Sequence, residues 1–261
     1  MAHLTILKIG GNVLDNTILL NAVIDSFASL KDNKILIHGG GKIANVLMKQ
    51  LGVEPKMVDG RRITDEKTLE IVTMVYAGWI NKSLVCKLQA LNCNAFGLTG
   101  ADGNIIPAVK RPVKEIDYGF VGDIDTSAID AVAMCGLIEQ KLVPVLAPIT
   151  HNKQGTLLNT NADTIASSMA IALASHYDVK LIYCFEKNGV LSNPDDEASV
   201  INRISEHDFN NYKSKGVIHS GMIPKLDNAF AALKSGVAEI VICGPQAFQA
   251  DNAIKGTTIT L

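Results

Sequence analysis

Residues 34–51 read KILIHGGGKIANVLMKQL. A short apolar, β-branched run, KILIH (34–38), leads into three consecutive glycines, and IANVLMKQL (43–51) then reads as a helix. Strand, glycine turn and helix in succession form the building unit of an α/β protein, because parallel strands need helical crossovers. The same alternation continues in both directions. Further strands are expected at 4–9, 94–99, 142–149, 180–185, 239–244 and 257–261, and helices at 25–30, 65–91, 162–176 and 223–236. The pattern predicts a mainly parallel open sheet covered by helices on both faces. Thr64 is the expected N-cap of the long 65–91 helix, where Val72, Val75, Tyr76, Trp79 and Ile80 form an apolar stripe suited to a core or to a subunit interface. Residues 104–130 break the alternation and read as an inserted β-hairpin.

Composition narrows the function. With 48% hydrophobic and 19% charged residues, the 261-residue chain has the make-up of a globular protein able to bury a large core, as one α/β domain or two contiguous lobes. A formal charge of −2 gives no electrostatic case for nucleic acid or an anionic membrane, so small-molecule partners are expected. The scattered, odd set of five cysteines (86, 93, 135, 184 and 243) reads as buried free thiols in a reducing compartment. No Cys/His cluster has metal-ligand spacing, and no segment reads as a signal peptide or membrane span, which makes the cytoplasm the expected location.

Four polar clusters fall where an open parallel sheet binds ligands, at the carboxyl ends of strands and the N-termini of helices. In KIGG, Lys8 ends the first strand and Gly10 and Gly11 let the chain turn with amides exposed to an anion. HGGGK fails the P-loop pattern, since Lys42 is followed by Ile43, and it meets a dinucleotide fingerprint only through Gly39, Gly41 and Ala44. NTNAD places Asn159, Asn161 and Asp163 before a helix, and HSGMIPK places Lys225 in a first helical turn. Taken singly, each lysine reads as a surface charge and the aspartate as a helix cap. Together they form a consistent set for phosphoryl transfer, whose transition state is stabilised by positioned cations, amides and Mg²⁺ with little covalent chemistry.

LKIGGNVLD, HGGGK, DGRRITD, GLTGADGN, GFVGDI, NTNADT, NGVL and GMIPKLDNA occur in an order and spacing that resembles the acetylglutamate kinases of the amino acid kinase superfamily, from about residue 4 to 261. The resemblance implies a three-layer αβα sandwich, with an N-terminal lobe (1–178) for the acyl-amino acid and dimerisation and a C-terminal lobe (179–261) for ATP. It implies ATP-dependent phosphorylation of the γ-carboxylate of an N-acylated glutamate, a step of arginine biosynthesis. Lys8 and Lys225 match the transition-state lysines, and Asp163 the carboxylate that holds them. Gly40, Gly41, Arg62 and Asn159 match the substrate contacts. Gly10, Gly11, the stretch Glu186, Lys187, Asn188, Gly189, Val190 and Leu191, and Val217, Ile218 and His219 match the nucleotide contacts. Mg²⁺ is expected on the ATP phosphates. Lys42 becomes incidental.

Two stretches depart from the family pattern. Similar kinases read Asp-Val-x-Gly-Val, often after Ser or Thr, where this chain has FEKNGVL (185–191), so Glu186 and Lys187 replace the aspartate and the valine. Arg61 stands where the family has an apolar residue, and it fits either a solvated charge or a contact to a second acid group such as that of N-succinylglutamate. Other carboxylate or carbamate kinases, or a nucleotide-binding regulator without turnover, are the alternatives. Arginine-inhibited relatives carry an additional amino-terminal helix. The first strand begins here at Leu4, so a homodimer without arginine feedback is expected.

Overall fold

The structure, a computed structural model, describes residues 1–58, 60–193, 195–218, 222–247 and 254–261. Its strands are β1 (His3–Ile9), β2 (Asn33–His38), β3 (Met57–Val58), β4 (Arg61–Arg62), β5 (Ala95–Leu98), β6 (Ala108–Lys110), β7 (Gly122–Ile124), β8 (Val143–Leu146), β9 (Ile149–His151), β10 (Leu157–Asn159), β11 (Asp178–Cys184), β12 (Arg203–Ser205), β13 (Glu239–Cys243) and β14 (Thr257–Thr260). The helices are α1 (Gly11–Leu14), α2 (Thr17–Ser29), α3 (Gly41–Gln50), α4 (Glu66–Thr73), α5 (Asn81–Ala90), α6 (Ala131–Glu139), α7 (Ala162–Leu173), α8 (Glu206–Ser214) and α9 (Ile223–Lys234).

One eight-stranded sheet in the order β12-β14-β13-β11-β1-β2-β8-β5 carries the fold. Within it only the β13–β14 pair is antiparallel. Side-chain alternation along β1 decides which helices lie on which face. Leu4 and Ile6 pack with Leu181, Ile165, Met169 and Leu226, beneath α6, α7, α8 and α9. Leu7 and Ile9 pack with Phe27, Met48, Ile71 and Leu84, beneath α2, α3, α4 and α5. The result is the three-layer αβα sandwich. No helix among the described residues is long and apolar enough to cross a membrane.

Three antiparallel pairs sit above the carboxyl end of the sheet: β3–β4, β6–β7 and β9–β10. The β6–β7 pair is the hairpin expected within 104–130. The other two are additions, each with strands of two or three residues, too short to leave a period-two pattern. Also missing from the sequence reading are β12, α1, α6, α8 and most of α2.

Two expectations need correction. The N-cap of α4 is Asp65, whose carboxylate accepts from the Thr68 amide at 2.8 Å, while the Thr64 hydroxyl donates to the Arg62 carbonyl at 3.1 Å. A carboxylate at the N-terminus of a helix also interacts favourably with its dipole, which favours the aspartate over its neighbour. The 65–91 helix is continuous but has a π-helical interior, Met74–Ile80. Its i→i+5 spacing brings Ile80 onto the face of Val75 and turns Trp79 outward, 71% exposed, so the apolar stripe loses its tryptophan. Cys93, Cys184 and Cys243 are buried as free thiols, whereas Cys86 is exposed and Cys135 half-buried.

Candidate active site

The order of the sheet reverses at β1, which lies between β2 and β11, and an open α/β sheet leaves a crevice at such a switch point. Lys8 lies one residue before the end of β1, on the face that α7 and α9 cover. Asp163 is in the first turn of α7, which Asn161 caps by accepting from the Asp163 and Thr164 amides. Lys225 is in the first turn of α9, behind Pro224, whose missing N–H costs nothing at a helix start. Three elements remote in sequence therefore aim three charges at one point.

Lys8 Nζ lies 2.6 Å from Asp163 Oδ1, and Lys225 Nζ donates to Asp163 Oδ2 at 2.7 Å. The first contact is an ion pair at an angle outside hydrogen-bond geometry, which leaves Oδ1 without a directed donor. Side-chain exposures of 7% for Lys8, 14% for Asp163 and 26% for Lys225 place the cluster mostly out of water. Burial alone would raise the Asp163 carboxyl, but Lys8 and then Lys225 overcome it and hold the group down at about 2. Burial pushes the Lys8 ammonium below the usual lysine range, Asp163 opposes the fall, and the positive charge of Lys225 adds to it. With both lysines protonated the cluster carries one surplus positive charge.

Beside it opens a cleft of about 190 Å³, walled by Gly40, Gly41, Arg62, Asn159, Asn161 and Ala162. The glycine loop ends in α3, whose first-turn amides, beginning at Gly41, have no acceptor within the helix. Gly40 has φ 151°, and a Cβ there would stand 2.3 Å from Ile80 Cδ1 and 3.0 Å from Tyr76 Cδ1, so only glycine lets the loop rest on the π-helical segment. His38 anchors the loop: Nδ1 meets the Gly39 carbonyl at 2.8 Å and Nε2 meets Asn81 Nδ2 at 3.2 Å. Burial pushes its imidazole down to about 4, so the ring is neutral, with Nδ1–H donating and Nε2 accepting.

Arg62 is buried and donates to the Gly41 carbonyl at 3.0 Å, with Met48 Sδ at 3.2 Å. Asn159 Nδ2 donates to Thr64 Oγ1 at 3.0 Å, and Thr64 in turn bonds the Arg62 carbonyl. The substrate residues expected from sequence thus share one wall, and Thr64 ties Arg62 to Asn159. Arg61 lines the same cleft together with Arg111 and Asp123, which form a short bidentate ion pair. Neither Arg111 nor Asp123 was legible as a site residue, because a charge in the hairpin 108–124 reads as solvated.

The expected nucleotide residues are more dispersed. The Gly10 amide is committed to the Cys184 carbonyl at 2.9 Å and so offers nothing to an anion, a correction to its expected part. Gly11 opens the short α1. Glu186, Lys187 and Asn188 form an exposed turn after β11, and Lys187 pairs with Glu197 at 2.8 Å. Gly189 must be glycine, since a Cβ would lie 2.7 Å from Thr257 Oγ1, the acceptor of the Val190 amide. Val190 and Ile218 are core residues, Leu191 and Val217 are half-buried, and His219 lies outside the described residues.

Residues 3–244 match the family described as the Amino acid kinase family. The acetylglutamate kinase of Cytophaga hutchinsonii is 54% identical over 244 residues, covering 93% of this chain and 92% of that protein. The acetylglutamate kinase of Bacteroides thetaiotaomicron is 52% identical over 256 residues, 98% of each chain. Among solved structures, smu.665 from Streptococcus mutans UA159 superposes with a TM-score of 0.79 at 29% identity over 98% of each chain.

Proposed function

The chain belongs to the amino acid kinase family, and from that premise we propose that it transfers the γ-phosphoryl group of ATP to the side-chain carboxylate of N-acetyl-L-glutamate, giving the acyl phosphate and ADP. The observation that carries the reading is the Lys8–Asp163–Lys225 cluster, with its surplus positive charge beside a cleft that presents an arginine and free helix amides. Two anionic reactants repel one another, and a positively charged, water-poor centre offsets that repulsion where charge builds up in the transition state.

Residues of the 1–178 lobe hold the acceptor. Arg62 clamps a carboxylate of the acyl-amino acid with the part of its fork not bonded to Gly41, Asn159 adds a polar contact, and the Gly40–Gly41 amides face the attacking carboxylate and the phosphoryl group arriving on it. Lys8 neutralises the transferring group, Lys225 faces the leaving phosphate, and Asp163 keeps both in place. An acyl-glutamate γ-carboxylate, with a reference pKa of about 4.3, is ionised at neutral pH, so the reaction needs no general base. His38, buried and engaged at both nitrogens, is accordingly an anchor of the loop.

The 179–261 lobe holds ATP, through the turn 186–191 and the segment around Val217 and Ile218. Because Val190 and Ile218 point into the core, the backbone of these segments makes the contacts. No three His, Cys, Asp or Glu side chains converge on a metal site among the described residues, which suits a Mg²⁺ that arrives on the nucleotide phosphates and keeps its own waters. There the ion would screen phosphate charge. The exposed Val46, Met74 and Trp79 form the face on which the chain pairs as a homodimer.

An ATP- and hydroxylamine-dependent hydroxamate assay tests the reading, with N-acetyl-L-glutamate, N-succinyl-L-glutamate, glutamate, aspartate and carbamate as acceptors. Turnover is expected with N-acetyl-L-glutamate. Turnover confined to unacylated acceptors or carbamate would overturn the assignment. Lys8→Ala is expected to lower mainly kcat, and Arg62→Ala to raise mainly KM for the acceptor.

A further inference from the structure

In FEKNGVL (185–191) the residue before Glu186 and Lys187 stands against the Lys8–Asp163–Lys225 cluster. Phe185 follows the last residue of β11, and its ring lies under both ammonium groups: Lys225 Nζ is 3.9 Å and Lys8 Nζ 4.6 Å from its centroid. The ring is half-buried and stacks on Tyr183, centroids 6.1 Å apart and planes 3° from parallel. A Cβ on Gly10 would stand 3.0 Å from Phe185 Cδ1, so the glycine that gives no amide to an anion instead makes room for the ring. The Gly10 amide and the Phe185 amide are bonded into the strand ends, to the Cys184 and Cys243 carbonyls, both at 2.9 Å, and this fixes the position from which the ring projects.

We propose that Phe185 is a positioning residue for phosphoryl transfer, a cation-binding platform that holds the Lys8 and Lys225 ammonium groups at the centre without neutralising them. The need for one comes from the charge count. Among the described residues Asp163 is the ion-pair partner of both lysines and has no second carboxylate beside it, so one positive charge is left over in a mostly desolvated site. A second carboxylate would cancel that charge and repel the incoming phosphates. An aromatic face attracts cations through its quadrupole while carrying no net charge, and the attraction strengthens where water is excluded. The lysines are thus held in the absence of reactants and remain free to exchange the ring for phosphoryl oxygens. The groups facing the pair are Asp163 from α7, Tyr183 and Cys184 from β11, and each lysine for the other. Burial keeps the Tyr183 phenol far above its ordinary range, so it adds no negative charge beside Asp163.

The inference rests on the kinase reading for its kinetic arm but not for its titration arm. Phe185→Leu keeps an apolar side chain and removes the quadrupole, whereas Phe185→Tyr keeps both. Phe185→Leu is expected to lower kcat about tenfold, with KM for the acyl-glutamate changed less than about twofold and the melting temperature near that of the parent. Competitive acetylation of lysines across alkaline pH, read by mass spectrometry, reports the Lys8 ammonium without turnover. A ring favours the charged form, so its loss should move the Lys8 midpoint down by about half a pH unit or more, and Phe185→Tyr should restore both readouts. A Phe185→Leu protein with unchanged kcat and midpoint would overturn the platform. So would a Phe185→Tyr protein as impaired as Phe185→Leu, which would assign the residue to packing alone. A shifted midpoint in a protein that phosphorylates no acyl-glutamate even as the parent chain would uphold the platform and defeat the kinase reading.

Discussion

At the scale of single residues, the site is a problem in charge balance: a buried ammonium group, Lys8, and a half-buried one, Lys225, share one carboxylate. Replacing Lys8 by methionine leaves a one-to-one pair of Lys225 and Asp163 and removes the most buried charge, so activity should fall by about a hundredfold or more while the melting temperature holds or rises. Asp163→Asn does the opposite to stability, because it leaves the buried Lys8 ammonium and the half-buried Lys225 ammonium without an anion, at a cost of about 3–5 kcal/mol. Calorimetry on the two variants checks the contrast, and equal destabilisation by both would refute it. The pH dependence follows from the same group. The folded Asp163 carboxyl sits at about 2 against an ordinary value of 3.8, so the unfolded chain binds more protons in that interval. Its contribution, about 2 kcal/mol, is present in full above the ordinary value and lost as pH falls from there through about 2. Denaturant titrations between pH 5 and 2 should give a steeper loss of stability in the parent chain than in the Asp163→Asn variant.

At the scale of elements, the glycine loop and the π-helical segment behave as one device. Gly40 has a backbone that side chains rarely adopt, and the space its Cβ would need is filled by Ile80 and Tyr76. Gly40→Ala should therefore cost about 2–3 kcal/mol and raise KM for the acceptor. Adding Ile80→Val removes the Cδ1 atom in the way and should recover part of the stability but not all, since the φ strain stays. Full recovery in the double variant, read by thermal melts, would show that the clash alone mattered. The main strands were legible in the sequence because each is a compact apolar run bounded by polar or glycine residues, as in KILIHGGGK. Lys8, Asp163, Lys225 and Arg62 were legible because they end such runs or sit in matched motifs. Phe185 and Arg111 were not, and Asp123, although inside the matched GFVGDI, has no role that the resemblance assigns. An aromatic at a strand end reads as core, and an ion pair across a hairpin depends on a register that the sequence does not display. The π segment was hidden for a similar reason, because its residues keep helical apolar spacing while the backbone changes its bond pattern.

At the scale of the whole molecule, the two faces of the sheet have different tasks. The charged cluster lies on the face covered by α7 and α9, and the opposite face carries α3 and the long helix, whose outer surface exposes Val46, Met74 and Trp79 around the half-buried Ile43 and Leu47. A tryptophan 71% exposed beside a methionine and a valine is a costly surface for a single chain in water and a natural centre for an interface. The same long helix supports Gly40 from within through Tyr76 and Ile80, so pairing on its outer side would stiffen the floor of the cleft that Gly40 lines. Sedimentation equilibrium should accordingly return twice the chain mass for the parent protein and a single chain mass for Trp79→Glu. Because the substitution leaves every residue of the charged cluster in place, its kinetic effect should fall on KM for the acyl-glutamate, with KM for ATP nearly unchanged. A parent protein that sediments as one chain at micromolar concentration, or a Trp79→Glu protein that still pairs, would remove this face as the interface.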